Sequence, residues 1–599
     1  MVRRLNFCPY TTSIVVIFFI FFLHTIVILN EDPILIAIYE SGDPGNLIYG
    51  IMSLFVHPVY NQNNYFFFGY GWPFSDISFI VVLLLKVIGQ LFGFYNQPWF
   101  GIIDNQPFFN AAIRTINFIF ALISVLLFFN LSNHLFNNKT LAFVASIFFM
   151  FLPWAAVYSY WLHPDAAGMV FLLLAILYTV KFTQQPKLSY FYIVFVNLIL
   201  TTFIKMYHGF YLLPIFFIVW VSYCQQRGIN YLTGLFSKPI LKILVSLPII
   251  YLVVILIIHP YFIIDFGGGV YKSTWVFKPW IVLNTSKGHH MAIPFLTSFR
   301  QWLLLYQSEP LIYLNVIFLY LLIIPLWFKK IAVSWLLVIS VLFCNAYLGI
   351  VMFGNRMMHF ELRYIYPIAP LLILNSIAII RFIWQQLGGL AMKKLHYLPI
   401  IFTILISFYV LPIFADNLLT TTNSLLARAA YRHTTYYQMR EFILKNSATF
   451  ADSNMLFDIG SAPVPPQFTW TIPPTNLTWV PSKIIDKNQF KDYINPDAKI
   501  IWVSWESQAQ SLAFIKDNAP QFLILTAERS QIYQNYIMKN GFKLLTQFQA
   551  SNEELSGFAY WFPQVNKPLE TLSATPKLLE IHRNSNLTIG PTIVFYRKS

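Results

Sequence analysis

The chain is organised around the stretch YESGDPGNLIY at residues 39–49, which follows its first long apolar segment. This stretch carries Glu40 and Asp43, although charged residues make up only 11% of the chain. The glycines and the proline beside Asp43 favour a turn that would hold its carboxylate at a membrane surface. Two interpretations stay open: Asp43 is the general base of a glycosyl transfer at the outer face of a membrane, or it is an interfacial acid that caps the following helix.

The composition is that of a polytopic membrane protein. Of the 599 residues, 57% are hydrophobic, and the mean hydropathy is +0.61, which no soluble globular protein of this size requires. The net charge of +15 does not indicate nucleic-acid binding, because most Lys and Arg residues lie in short clusters between apolar runs, where they set topology. Cys8, Cys224 and Cys344 lie in or beside apolar runs without metal-ligand spacing, and the polar C-terminal region has no cysteine for a disulfide.

Eleven apolar runs reach or approach the length that a helix needs to cross a bilayer. The first follows Arg3 and Arg4 and is longer than the ~7–15-residue apolar region of a signal peptide. We therefore expect it to be retained, with a cytoplasmic N-terminus. The predicted spans are 11–29, 110–131, 140–158, 167–183, 188–204, 208–224, 239–258, 311–328, 331–353, 364–383 and 396–415.

A further run, 76–95, decides the topology, because every later loop changes side if it crosses. When it does not cross, the cytoplasmic loops hold most of the basic residues, as the positive-inside rule requires. These residues are Lys139, Lys181, Lys187, Arg227, Lys238, Lys242, Lys329, Lys330, Arg381, Lys393 and Lys394. We therefore expect 76–95 to lie along or dip into the outer interface, within a first outer loop of residues 30–109.

Residues 416–599 differ in composition from the membrane part and are predicted to lie outside the membrane. Strands are expected near 454–459, 499–504, 521–526, 542–549 and 592–596, with helices near 437–445, 508–518 and 529–540. This alternation is typical of a small α/β domain. The predicted fold is an all-α polytopic membrane domain of about 11 transmembrane helices at 1–415 and an extracytoplasmic α/β domain at 416–599.

The second acidic site is the stretch WLHPD at residues 161–165, at the outer end of a predicted span. His163 and Asp165 are suited to bind a metal, to orient an acceptor or to hold the base. The alternative is that Asp165 only caps a helix that starts at Ala166. The sequence leaves both interpretations open.

Basic residues at outer span ends form the third group of candidates. The stretch RMMHFELRY at residues 356–364 holds Arg356, His359, Glu361 and Arg363. This density of charge suits anion binding better than helix anchoring, since arginine is the natural partner of phosphate oxygens. Arg114 and Lys205 lie singly at other outer ends, where snorkelling is the default and neutralisation of a phosphate is the alternative.

Acids and cations on one membrane face suit a sugar donor that is itself a lipid phosphate. Such a donor needs no nucleotide-binding fold, because its phosphate meets the protein at the membrane interface. A base would deprotonate the acceptor hydroxyl, and cations would stabilise the departing lipid phosphate.

The order of these features resembles the C-type (GT-C) glycosyltransferases, in particular the superfamily of protein O-mannosyltransferases and the aminoarabinose transferase that modifies lipid A. Members have an acid in the first outer loop, an Arg that opens the next span and an acid in the second outer loop, and Asp43, Arg114 and Asp165 match these. The stretch TTFIKMYHG at 201–209 looks like the Lys-bearing segment, and ELRYIYP at 361–367 looks like the Arg-Tyr-x-x-Pro of a late span.

The resemblance covers about residues 11–415 and implies an inverting hexosyl- or pentosyltransferase. Its donor would be a polyprenyl-phosphate-linked sugar, its acceptor a lipid, glycan or protein, and its location the bacterial inner membrane. It also implies that 76–95 is a juxtamembrane helix. Two departures from the family pattern leave open the class of acceptor and whether the reaction depends on a divalent cation. Pro44 follows Asp43 where the family usually has Asp-Glu, and His163-Pro164 before Asp165 is not the common form.

The leading hypothesis, a glycosyltransferase that uses a polyprenyl-phosphate-linked sugar, gives roles to the candidate residues. The catalytic group is Asp43, Asp165 and His163; the donor-phosphate group is Lys205, Arg356, Arg363, Arg114 and Tyr364; and the supporting group is Glu40, His359 and Glu361. Two other classes stay open: a transporter or flippase of lipid-linked glycans without catalysis, and a scaffold that presents the outer domain. The charges disfavour a transporter, because they lie at span ends rather than at mid-membrane.

Overall fold

The computed structural model describes the chain in separate segments. The described residues are 9–31, 72–92, 106–160, 164–204, 206–258, 335–349, 366–391, 433–446, 454–458, 499–502, 520–551 and 592–599, with a few isolated positions between 411 and 588.

Helices dominate the first part of the chain. They are α1 (Pro9–Glu31), α2 (Trp72–Leu91), α3 (Gln106–Phe136), α4 (Lys139–Met150), α5 (Pro153–Tyr160), α6 (Asp165–Gln184), α7 (Leu188–Ile204), α8 (Leu212–Arg227), α9 (Tyr231–Leu235), α10 (Lys238–Ile258), α11 (Trp335–Gly349) and α12 (Ala369–Ala391). Two 3₁₀ helices, Met206–Tyr211 and Tyr366–Ile368, directly precede α8 and α12.

Within the described residues, three helical segments are long and apolar enough to cross a membrane: Ala112–Phe136, Asp165–Gln184 and His208–Arg227. Shorter apolar helices fall in several further predicted spans. The chain is therefore a mostly helical, multi-pass membrane protein. The predicted span 311–328 and most of the predicted span 396–415 lie outside the described residues, so the total of about 11 crossings stays a prediction.

The prediction of one continuous helix over 140–158 is wrong. Helix α4 ends at Met150, and α5 begins at Pro153 after a turn at Phe151 and Leu152. Proline has no amide hydrogen to donate, and its ring clashes with the preceding turn of a helix. The same ring is tolerated in the first turn of the next helix, which is where Pro153 lies.

Helix α6 lies at the centre of the described bundle. It packs against α3 on one side and α7 on another, and also contacts α5 and α8. Most of its residues are buried, including the small residues Ala166, Ala167, Gly168 and Ala175. Small side chains allow neighbouring helices to approach closely in a membrane, where no hydrophobic effect drives helices together.

Two hydrogen bonds join helices near the ends of α3 and α6. Arg381, in the middle of α12, donates from Nη1 to the carbonyl of Phe136 at the end of α3, over 2.8 Å. Gln226, at the end of α8, donates to the carbonyl of Thr183 near the end of α6. We call this end of the bundle the Arg381 end. The other end, which holds the first turn of α6, is called the Asp165 end.

Helix α2 covers most of the run 76–95 and packs against α3, α7 and α10. Leu84, Ile88 and Leu91 are exposed on it, as expected for a surface that faces lipid. Its position relative to the membrane interface stays a prediction.

A five-stranded mixed sheet forms the C-terminal part. Its strands are β1 (Asn454–Asp458), β2 (Lys499–Trp502), β3 (Phe522–Thr526), β4 (Phe542–Phe548) and β5 (Ile593–Lys598), in the spatial order β2-β1-β3-β5-β4. Strand β1 is parallel to β2 and β3, whereas β5 is antiparallel to β3 and β4. Helices α13 (Thr435–Lys445), α14 (Ala527–Ile532) and α15 (Gln534–Lys539) accompany it.

Cysteine labelling will test the predicted topology. The positive-inside rule places Lys187, exposed between α6 and α7, on the cytoplasmic side, and the predicted outer location of 416–599 places the exposed Lys543 on the opposite side. In a chain lacking Cys8, Cys224 and Cys344, we expect an impermeant maleimide to label Lys543→Cys in intact spheroplasts. Lys187→Cys should react only after detergent is added. Labelling of Lys187→Cys in intact spheroplasts would overturn the assignment of sides.

Candidate functional site

Two of the predicted site residues, Arg114 and Asp165, lie within the described part of the chain, and both are buried at the Asp165 end. Their side chains are 0% and 1% exposed. The others lie outside the described residues: Asp43, Glu40, His163, Lys205, Arg356, His359, Glu361, Arg363 and Tyr364. The structure does describe residues close in sequence to three of these. Asp165 follows His163, His208 follows Lys205, and Tyr366 follows Tyr364, each by two or three residues.

A polar stripe runs along one face of α3. It consists of Arg114, Asn117 and Ser124, whose spacings of three and seven residues bring them to one side of a helix. All three are buried. The snorkelling interpretation of Arg114 is therefore wrong, because a snorkelling side chain carries its charged group out to water.

Asn117 joins α3 to α5. Its Nδ2 donates to the carbonyl of Tyr158 over 2.7 Å. Tyr158 lies in the last turn of α5, where carbonyl groups have no amide partner within the helix. The Asn117 side chain thus satisfies a buried acceptor that the short helix leaves open.

Asp165 is the first residue of α6, and Pro164 occupies the N-cap position. The interpretation that Asp165 caps a helix starting at Ala166 is therefore wrong. A carboxylate in the first turn is still stabilised by the positive end of the helix dipole. Its almost complete burial distinguishes it from an ordinary exposed first-turn acid, since burying a charge is costly unless other groups compensate it.

Tyr366 connects Asp165 to the polar stripe. Its buried phenol lies close enough to Ser124 and Asp165 to interact electrostatically with both. Its ring lies 4.8 Å from that of Tyr158, centroid to centroid. Tyr366 follows two residues after Tyr364 in the segment ELRYIYP, so the start of the last described span meets the first turn of α6.

The segment that follows Lys205 reaches the same end. His208, in the 3₁₀ helix Met206–Tyr211, is fully buried, and its Nδ1 lies 2.5 Å from the hydroxyl of Thr201. That hydroxyl donates to the carbonyl of Gly168 in α6 over 2.7 Å. From the same 3₁₀ helix, the Tyr211 hydroxyl donates to the carbonyl of Pro367 over 2.6 Å.

Parts of four motifs that are far apart in sequence therefore meet at the Asp165 end. They come from α3, the start of α6, the segment after Lys205 and the segment before α12. This end joins a buried carboxylate and a buried guanidinium to phenol, amide, hydroxyl and imidazole groups. Such a set can hold an anionic group and position a proton-accepting carboxylate.

Sequence reasoning missed Asn117, Ser124, His208 and Tyr366. Asn117 and Ser124 carry a signal that could have found them, because they continue the helical spacing from Arg114 in an otherwise apolar run. His208 lies inside a segment that was singled out only for Lys205. Within the described segments, no three His, Cys, Asp or Glu residues are grouped closely enough to hold a metal ion.

The fold and this site define a class: a multi-pass helical membrane protein with charged and polar groups buried at one end of its bundle. Residues 107–259 match the sequence family described as dolichyl-phosphate-mannose-protein mannosyltransferase. The matched region contains Arg114, Asp165 and His208. This match confirms, on these residues, the resemblance to the GT-C glycosyltransferases.

Two solved structures align with most of the chain. They are ArnT from Cupriavidus metallidurans in the apo state and the same protein bound to undecaprenyl phosphate. Each aligns with a TM-score of 0.41 at 11% sequence identity, over 89% of this chain and 96% of that chain. No curated protein matches the chain in sequence.

Replacing Asn117 by Leu should destabilise the bundle. The change removes the donor to the Tyr158 carbonyl while filling a similar volume. Leaving a buried acceptor without its donor costs about 1–3 kcal/mol. The readout is thermal unfolding of the purified protein in detergent, followed by tryptophan fluorescence.

Asn197→Leu provides the matched control. Asn197 is also largely buried in an apolar helix, but its amide donates to Ile193, a carbonyl of its own helix that the backbone ladder already serves. We expect a clearly lower unfolding temperature for Asn117→Leu than for Asn197→Leu. Equal effects would show that the bond between α3 and α5 contributes nothing specific.

Proposed function

We propose that this protein is an integral-membrane glycosyltransferase that moves a sugar from a polyprenyl-phosphate carrier to an acceptor at the extracytoplasmic face. The observation that carries the proposal is the family match over residues 107–259, a region that contains both Arg114 and Asp165, buried at one end of the bundle. The matched family is described by a donor, dolichyl-phosphate-mannose, in which the sugar is attached to a polyprenyl phosphate.

The proposed roles follow the chemistry of such a transfer. Asp43 takes the proton from the acceptor hydroxyl, which then attacks the anomeric carbon on the face opposite the phosphate, so that the configuration inverts. Asp165 and His163 support this base or hold a divalent cation. The lipid phosphate leaves, and its charge is stabilised by cations of the donor-phosphate group.

The donor-phosphate group is proposed to contain Arg114 together with Lys205, Arg356, Arg363 and Tyr364, and Glu40, His359 and Glu361 support it. The burial of Arg114 favours this role over helix anchoring, because a guanidinium that is shielded from water interacts more strongly with an anion. Residues 1–415 would form the transferase domain and 416–599 an extracytoplasmic α/β domain. The location would be a bacterial inner membrane.

Asp43→Asn should lower the rate of sugar transfer by about 100-fold or more, since a positioned general base contributes roughly 10²–10⁴-fold. Asp165→Asn should also lower the rate, because it removes the charge that supports this base or holds the cation. The amide keeps the size of the side chain but neither accepts a proton nor carries a negative charge. The assay follows label from a polyprenyl-phosphate-linked sugar into product in proteoliposomes. The same assay with EDTA tests the divalent cation.

Glu528→Gln is the control, because it removes an exposed acid from the C-terminal part of the chain. It should transfer sugar at the wild-type rate. Near-wild-type transfer by Asp43→Asn would refute its assignment as the base. Movement of the labelled lipid across the bilayer without any new glycosidic bond would instead identify a flippase.

A further inference from the structure

Three residues from different segments are linked by hydrogen bonds at the Asp165 end: His208, Thr201 and Gly168. The Thr201 hydroxyl lies 2.7 Å from the carbonyl oxygen of Gly168 and 2.5 Å from Nδ1 of His208. A carbonyl oxygen can only accept, so the single hydrogen of the hydroxyl is used toward Gly168. Nδ1 of His208 must therefore donate its hydrogen to Thr201.

This assignment fixes the state of the imidazole. Neutral His208 is the tautomer with hydrogen on Nδ1, and a proton can be gained or lost only at Nε2 without breaking the bond to Thr201. The bond therefore persists in both protonation states. A link of this kind suits a structural connection that must not change during a reaction.

The ring of His208 is packed directly against α6. A Cβ atom added at Gly168 would lie 3.0 Å from Cε1 of His208 and 3.2 Å from Cγ2 of Ile204. An alanine at this position would press on the ring, which would have to move by a few tenths of an ångström. Gly168 follows Asp165 by one helical turn, and its amide donates to the carbonyl of Pro164 over 2.9 Å.

We propose that His208 is a positioning residue: through Thr201 it fixes the first turn of α6, and with it the carboxylate of Asp165, relative to the segment that carries Lys205. The effect of this positioning on catalysis rests on the proposed function. It assigns to the 3₁₀ helix Met206–Tyr211 the task of holding the first turn of α6 in place.

Four variants distinguish this positioning role from a direct role of Nε2 in the reaction. His208→Asn places an amide donor where Nδ1 was, whereas His208→Gln places its amide near the position of Nε2 and loses the bond to Thr201. Thr201→Val removes the hydroxyl at constant volume, and Thr201→Ser keeps it. We expect His208→Asn and Thr201→Ser to transfer sugar within about threefold of wild type.

His208→Gln and Thr201→Val should lower kcat by about tenfold or more with little change in KM, because misplacing a catalytic group slows the chemical step. Their pH–rate profiles should keep the wild-type shape. An active His208→Gln with an inactive His208→Asn would overturn the proposal, since it would assign the role to Nε2. Wild-type kinetics for Thr201→Val would also overturn it.

Hydrogen–deuterium exchange of the purified protein provides a readout that does not depend on activity. Peptides covering residues 165–172 should exchange faster in Thr201→Val and His208→Gln than in wild type, Thr201→Ser or His208→Asn. If wild type transfers no sugar, the proposed function fails, but faster exchange in this pattern still supports the positioning of the first turn. Unchanged exchange in Thr201→Val would refute the positioning itself.

Discussion

The burial of charge at the Asp165 end is the constraint on which the surrounding structure depends. An arginine and an aspartate with almost no exposure would each cost several kcal/mol if nothing compensated the loss of water. Hydrocarbon offers no replacement, so the compensation must come from protein groups. The helices that meet here accordingly carry hydroxyl, amide, phenol and imidazole side chains on their inner faces.

The two ends of the bundle are held together differently. At the Arg381 end, the connections come from exposed side chains, such as Arg381 and Gln226, which bond to carbonyl groups near the ends of α3 and α6. At the Asp165 end, the connecting groups are buried, as the bonds of Asn117, Thr201 and Tyr211 illustrate. Buried hydrogen bonds are shielded from competing water and restrict alternative packings. The connections best shielded from water are thus those where the motifs meet.

Hydropathy and basic-residue counts were sufficient to predict α6, α7 and α8 within a few residues, because a membrane span is a local property of sequence. Strands also lie at the five places in the C-terminal part where they were predicted. The break before Pro153 was missed because hydropathy ignores backbone chemistry. The convergence of Arg114, Asp165 and His208 could not be predicted from sequence, since it depends on how helices pack. For Arg114 even the default expectation of snorkelling was wrong.

Gly168 shows why that packing does not follow from motif spacing. A Cβ atom there would press on the His208 ring, which would have to move by a few tenths of an ångström away from the helix. In an apolar helix a glycine costs stability relative to alanine, so its presence at a buried position one turn from a buried acid needs a compensating gain. The gain is the close approach of a polar ring to a helix in a medium without water. The same approach brings the residues after Lys205 against the turn that carries Asp165, and so joins two motifs that the sequence separates by about forty residues.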